Sequence, residues 1–77
     1  MFDVTATFTM GTNWRQIEDA VVRAAGVDSD LLDISTRNRT RSHVWLIKTF
    51  NKAMKLKWQV ETVKDVLVTV REHTTEE

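Results

Sequence analysis

The chain has no cysteine, no proline and only two glycines among its 77 residues. The absence of cysteine excludes disulfide bonds, thiolate catalysis and cysteine-based zinc sites. Gly11 and Gly26 are too far apart to form a glycine-rich phosphate loop, and no serine lies in a glycine-flanked nucleophile elbow. We therefore expect a protein that is not an enzyme and that uses neither a cofactor nor a metal ion.

Long hydrophobic runs are also absent. No segment approaches the roughly 20 apolar residues that span a bilayer, and the first residues lack the basic region and apolar run of a signal peptide. We expect a cytoplasmic protein with no membrane partner. Small, cysteine-free chains of this kind are common among phage and mobile-element proteins that act on host machinery, which would place the protein in a host cytoplasm. Residues 1–77 predict one domain with a small core, a size at which chains often dimerise.

Charge is balanced over the whole chain but segregated along it. The formal net charge is zero, which argues against a dedicated nucleic-acid binder. Between Ile34 and Val60, however, there is no acidic residue, and the segment contains seven basic ones: Arg37, Arg39, Arg41, Lys48, Lys52, Lys55 and Lys57. Such an acid-free segment favours an anionic partner.

The first 26 residues predict a strand followed by an amphipathic helix. Apolar and polar residues alternate over positions 2–10, which is typical of a half-buried strand. Asn13 is a predicted N-cap with Gln16 as its capping-box partner, and Gly26 is the predicted end of the helix. The inward stripe of the helix is expected to contain Trp14, Ile17, Ala20 or Val21, and Ala24.

The rest of the chain predicts four further strands. We expect them at Leu31–Thr36, Val44–Phe50, Ala53–Val60 and Val66–Val70, because each segment has alternating or β-branched apolar residues. The predicted turns between them are Asn38-Arg39-Thr40-Arg41, Asn51-Lys52 and Val63-Lys64-Asp65. In this register Trp45 faces Trp58, Ile47 faces Leu56, and Ile34 pairs with Trp45. A short extra helical turn at residues 28–30 is an alternative start for the first of these strands.

These elements predict an α+β domain. One amphipathic helix would cover the apolar face of an antiparallel sheet of about five strands, in the order β-α-β-β-β-β. This order resembles the cystatin-type arrangement, and the resemblance implies a fold and no function. The first strand is expected at an edge, beside either the last strand or the second. Residues 73–77 are predicted to be a frayed acidic tail.

Few side chains suggest a catalytic or metal site. Asp28, Asp30 and Asp33 resemble part of a calcium loop but lack its central glycine and distal glutamate, so turn and cap chemistry is the better interpretation. His43 is expected to be a partly buried structural histidine, and neither it nor His73 has a zinc partner at a suitable spacing. The tryptophans at positions 14, 45 and 58 are expected to lie in the core.

The outward face of the predicted sheet combines apolar side chains with lysines, beside an arginine-rich hairpin. We expect it to dock on the acidic surface of a protein partner, or on a second copy as a homodimer. The alternative is nucleic-acid binding, in which the basic residues contact phosphates. The predicted partner-binding residues are Arg37, Arg39, Arg41, Val44, Leu46, Lys48, Phe50, Lys55, Lys57, Leu67 and Arg71.

Overall fold

A computed structural model describes residues 1–26 and 31–72 of the chain. These residues form β1 (Phe2–Thr9), α1 (Trp14–Ala25), β2 (Leu31–Arg37), β3 (Thr40–Ile47), α2 (Phe50–Glu61) and β4 (Leu67–Glu72). The predicted α+β class with an antiparallel sheet is confirmed, although the described residues contain two helices and four strands rather than one and five. The predicted caps at 28–30, the inward side chain of Leu32, His73 and the tail 73–77 lie outside the described part.

The four strands form one antiparallel sheet in the order β2-β3-β1-β4. The first strand therefore lies inside the sheet between β3 and β4, and its predicted edge position is wrong. Taken together, the element order and the strand order are those of ferredoxin-like, or split βαβ, folds. The cystatin-type arrangement has one helix before all later strands. It is wrong because a second helix, α2, lies between β3 and β4.

The largest difference from the prediction is residues 53–60, which belong to a helix. The Thr49 side chain caps α2 by accepting a hydrogen bond from the backbone N–H of Lys52 at 3.3 Å, so the predicted Asn51-Lys52 turn lies inside the first helical turn. Ala53, Leu56 and Val60 are buried at helical spacing. Between positions 50 and 61 only Val60 is β-branched. Because the other residues include many good helix formers, the segment adopts the 3.6-residue spacing of a helix and not the two-residue alternation of a strand.

The core lies between one face of the sheet and both helices. Buried residues alternate along β1, β3 and β4, so the two helices cover the same face and leave the other one open. The buried apolar residues are Val4, Ala6, Phe8, Val21, Ala25, Trp45, Ala53, Leu56, Val60 and Val68. The predicted inward faces of β1, β3 and β4 are thus confirmed, although β4 pairs with β1 rather than with residues 53–60.

Several local predictions are confirmed with small differences. Helix α1 begins after Asn13 and ends at Gly26 with a φ of 85° as predicted, but the Asn13 side chain makes no capping hydrogen bond, so the predicted capping box with Gln16 is wrong. A two-residue turn joins β2 to β3, in which Asn38 and Arg39 both adopt positive φ angles of 51° and 63°. Ile34 pairs with His43 rather than Trp45, and this shift of two residues preserves its face.

Candidate protein-docking surfaces

The first candidate surface is the uncovered face of the sheet, which we call the open sheet face. Side chains alternate between the two faces of a strand, so the residues between the buried positions lie here. Its residues are Asp3, Thr5, Thr7 and Thr9 of β1, Asp33, Ser35 and Arg37 of β2, Thr40, Ser42, Val44 and Leu46 of β3, and Leu67, Thr69 and Arg71 of β4. Half of them are serine or threonine, so the face is flat and rich in hydroxyl groups.

Three aliphatic side chains interrupt this hydroxyl surface. Val44 and Leu46 are partly exposed, and Leu67 is 67% exposed. Between them, Thr7 and Ser42 are paired across β1 and β3, with their hydroxyl oxygens 3.3 Å apart. A flat, partly apolar face that no described residue covers is a candidate interaction surface.

The charges on the open sheet face are balanced. Asp3 lies beside Arg71 in the register of β1 and β4, while Asp33 and Arg37 lie on the edge strand β2. The face therefore combines two acidic and two basic side chains, whereas the sequence predicted a basic face. Mixed signs match a second copy of the same face better than they match an acidic partner.

The predicted partner-binding residues do not share one surface. Lys48 precedes α2, and the helix contains Phe50, Lys55 and Lys57, so their predicted place on the sheet face is wrong. They were misplaced because residues 50–61 form a helix, in which side chains repeat every 3.6 residues, and not the predicted strands, in which they alternate every two. Arg39 lies in the hairpin turn, and Arg41 points to the helix-covered side of β3. The residues that do lie on the open sheet face are Arg37, Val44, Leu46, Leu67 and Arg71.

Arg41 belongs to a polar cluster beneath α1. Its Nε donates a hydrogen bond to Glu18 Oε2, and a terminal nitrogen donates to Thr36 Oγ1 at 2.8 Å. The same Glu18 oxygen lies 3.1 Å from Nε2 of His43. The guanidinium carbon also lies 5.6 Å from the ring centroid of Trp14. Arg41 thus connects α1 with β2 and β3, and it is engaged inside the molecule.

His43 and Glu18 form the buried end of this cluster. The His43 side chain is 1% exposed and stacks between the rings of Phe8 and Trp45, at centroid distances of 6.0 and 5.9 Å. It is more deeply buried than the sequence predicted. Partial burial raises the pKa of Glu18, but hydrogen bonds from Arg41 and His43 and their charges outweigh this effect and hold the pKa below its ordinary value of 4.5. This arrangement fastens α1 to the sheet.

The second candidate surface is the α2 ridge, which consists of Phe50, Met54 and Trp58. Trp58 is 62% exposed and lies on the helix side opposite the buried stripe, so its predicted core position is wrong. Phe50 is 54% exposed, and its ring packs edge-on against Phe2 at a centroid distance of 5.5 Å. The sequence did not predict this surface, because residues 53–60 were expected to form a strand. The strong helix formers after Thr49 were the signal that could have revealed it.

Charges of both signs border the α2 ridge. With about 3.6 residues per turn, Lys55 lies next to Trp58, whereas Lys52 lies on the far side of the helix. On the other border, Nζ of Lys57 lies 2.6 Å from Oε1 of Glu61 one turn later. The charges beside the ridge are therefore balanced.

A shallow groove of about 620 Å³ lies at one end of the sheet, between the β1–α1 loop and the β2–β3 hairpin. Its lining includes Gly11, Thr12, Trp14, Thr36 and Arg39. The backbone N–H of Met10 donates to the carbonyl of Arg39 at 2.6 Å, which joins the loop to the hairpin. The described residues contain no group of three side chains that could hold a metal ion, and they include no helix long and apolar enough to span a bilayer.

Comparisons with known proteins found that no family model, no curated protein and no solved structure matches the chain. Function is therefore inferred from the two surfaces and from the residues that form them.

Proposed function

We propose that this protein is a small, non-catalytic protein-binding domain, and that its open sheet face binds a second copy of the chain. The observation that carries this proposal is the uncovered aliphatic group of Val44, Leu46 and Leu67 on a sheet whose helices all lie on the other side. Removing such area from water contributes about 25 cal/mol per Å². The sequence favours a cytoplasmic location. If the protein is encoded by a phage, this is the cytoplasm of the host cell.

The size of the face is compatible with a weak dimer. Four strands about 4.8 Å apart, with a rise of about 3.3 Å per residue, give a face of roughly 20 by 25 Å for strands of up to eight residues. Two such faces bury on the order of 1,000 Å², the lower limit for a specific interface. We therefore expect a dimer that dissociates on dilution.

The charges support a symmetric pairing. In a two-fold dimer the same patch is used on both copies, so each face must be complementary to itself. Asp33 and Arg37 of one copy can meet Arg37 and Asp33 of the second in such a pairing, because both are exposed on the edge strand β2. These exposed pairs contribute orientation more than affinity.

Nucleic-acid binding is the second candidate function. It is favoured by the exposed Arg37 and Arg39 at the β2–β3 hairpin, where two guanidinium groups are accessible to phosphates. Against it, the open sheet face carries no aromatic residue, whereas sheets that bind single strands stack bases on aromatic rings. Arg41, which the sequence assigned to the same basic surface, is engaged with Glu18.

Light scattering coupled to size exclusion tests the proposal. At low and at high salt we expect the wild-type chain to change from dimer to monomer only on dilution, and Leu46→Lys to be monomeric throughout. Val22→Lys is the matched control, since it makes the same kind of change at a 52% exposed position on α1. A wild-type chain that is monomeric at every concentration, or a dimeric Leu46→Lys, would contradict the proposal.

The same experiment with a single-stranded oligonucleotide separates the two candidates. Binding to phosphates weakens steeply with salt, whereas an apolar interface does not. A complex that forms only at low salt and is lost in the double variant Arg37→Glu and Arg39→Glu would support nucleic-acid binding. Absence of a complex at low salt would remove that candidate.

A further inference from the structure

The outer edge of β4 is a surface that a dimer of the open sheet face leaves unused. β4 lies at one end of the sheet and pairs with β1 alone among the described strands, so the N–H and C=O groups on its other side have no described strand beside them. The edge is also regular, because the register with β1 runs without a bulge from Leu67 to Glu72. Proteins usually protect a free edge with a lysine, a proline or a bulge.

The opposite edge of the sheet, β2, has such protection. Its pairing with β3 is irregular between Leu31 and Asp33, and the charged side chains of Asp33 and Arg37 are exposed along it. Residues 67–70 of β4 instead read Leu-Val-Thr-Val, which are uncharged and mostly β-branched. Because an unprotected strand of high β propensity pairs readily, β4 is the edge at which we expect another strand to bind.

The charges around β4 indicate which strand fits this edge. A cation and an anion lie in the turn before the strand and again at its end, and none of the four forms an ion pair with a described residue: Lys64, Asp65, Arg71 and Glu72. When two β4 strands pair antiparallel about Val68, the turn of each copy comes next to the strand end of the other. Lys64 then lies near Glu72 of the second copy. Asp65 lies likewise near Arg71, so each charge meets one of the opposite sign.

The uncharged residues between these charges match in the same register. Facing residues of an antiparallel pair lie on the same side of the sheet. On the side that the helices cover, Val68 faces Val68 of the second copy and Val66 faces Val70. On the open side Leu67 faces Thr69, both of which are exposed in the single chain. The edge of β4 is therefore complementary to itself.

We propose that β4 pairs antiparallel with β4 of another copy and thereby joins two dimers into a tetramer. This inference rests on the proposed function, because the pairing of Asp33 with Arg37 across the dimer places β2 against β2 and β4 against β4, so that both free edges lie on one side. Two such dimers meet along two edges at once, and each four-stranded sheet continues into that of a neighbour. A two-stranded contact alone is marginal in water, so the edges join dimers and not single chains.

Sedimentation velocity at low salt, at protein concentrations above those at which the dimer forms, tests this inference. The wild type should change from dimer to tetramer. Glu72→Lys places a lysine near Lys64 of the second copy and should weaken the tetramer at least roughly tenfold, while the dimer persists because Glu72 lies on the helix side of β4. The double variant Lys64→Glu and Glu72→Lys exchanges the two charges and should restore the tetramer. Lys55→Glu is the matched control, since it reverses an exposed charge on α2 and should change nothing.

Amide hydrogen exchange identifies the edge that pairs. Alternate backbone N–H groups of an edge strand point outward, so these amides of β4 should become protected when the tetramer forms. A chain that stays dimeric at every concentration, a tetramer without new protection in β4, or a tetramer unchanged in Glu72→Lys would overturn the edge pairing and leave the proposed function in place. Failure of the double variant to restore the tetramer would also overturn it. A chain that stays monomeric would overturn both proposals.

Discussion

The open sheet face and the α2 ridge are both uncovered, but they differ in side-chain size and in shape. The sheet face is flat and consists mainly of short hydroxyl side chains, with aliphatic residues such as Leu46 between them and charges of both signs. The ridge instead presents two large aromatic rings, Phe50 and Trp58, in a narrow row along α2. A flat face with balanced charges can be complementary to itself, which is why we assign self-association to the sheet and not to the ridge.

The same contrast separates two of the tryptophans. Trp45 is 3% exposed and stacks on the ring of His43, while Trp58 is 62% exposed. The first should therefore matter for folding, whereas the second should contribute little to it. Substituting each tryptophan in turn tests the comparison directly.

The largest expected effect is on stability, in the pair Trp45→Ala and Trp58→Ala. Trp45→Ala leaves a cavity in the core and should lower the free energy of unfolding by about 3–5 kcal/mol, enough to unfold a large share of a domain of this size. Trp58→Ala removes an exposed side chain and should change the free energy by less than about 0.5 kcal/mol. Urea unfolding followed by circular dichroism measures both. Similar losses in the two variants would mean that Trp58 is part of the core after all.

A smaller effect is expected in the polar cluster, which belongs to neither surface. Glu18→Gln removes the carboxylate that accepts hydrogen bonds from Arg41 and His43, and near neutral pH it should lower the free energy of unfolding by about 1–2 kcal/mol. Dimer formation should persist in the folded variant. If it is lost there, the open sheet face depends on the placement of α1.

The pH dependence of this effect has a defined sign. The pKa of Glu18 is lowered in the folded state, so its carboxylate stabilises the fold above the ordinary value of 4.5, and this contribution is lost as the pH falls below it. The difference in stability between the wild type and Glu18→Gln should therefore shrink below pH 4.5. Urea titrations at several pH values measure it. A difference that stays constant down to pH 3 would contradict the role assigned to Glu18.

Segments were predictable from the sequence where their apolar residues fit the spacing of a strand or of a helix but not both. Alternation from Phe2 to Thr9 has no helical counterpart, and β1 was predicted with its buried residues. Asn13 and Gly26 bracket α1 as expected, and the apolar alternation around Trp45 identified both faces of β3. From this alternation Val44 and Leu46 could be assigned to the open sheet face before the fold was known.

The rest could not be predicted because one segment satisfies two periods. Leu56 and Val60 are inward whether residues 53–60 form a strand or a helix, so Ala53, Met54 and Trp58 discriminate between the two, and burying the two larger residues favoured the strand. The helix forms because the local residues prefer it and because β4 pairs with β1. The α2 ridge was missed for this reason, since it exists only when Trp58 is exposed.

The most direct test of the central claim is a dilution series followed by amide NMR spectra of the isotope-labelled protein. If the open sheet face joins two copies, signals of residues around Thr5, Val44 and Leu46 should shift on dilution, while those of Met54 and Trp58 should stay in place. Shifts confined to α2, or no shifts at any concentration, would contradict the assignment of the open sheet face to self-association.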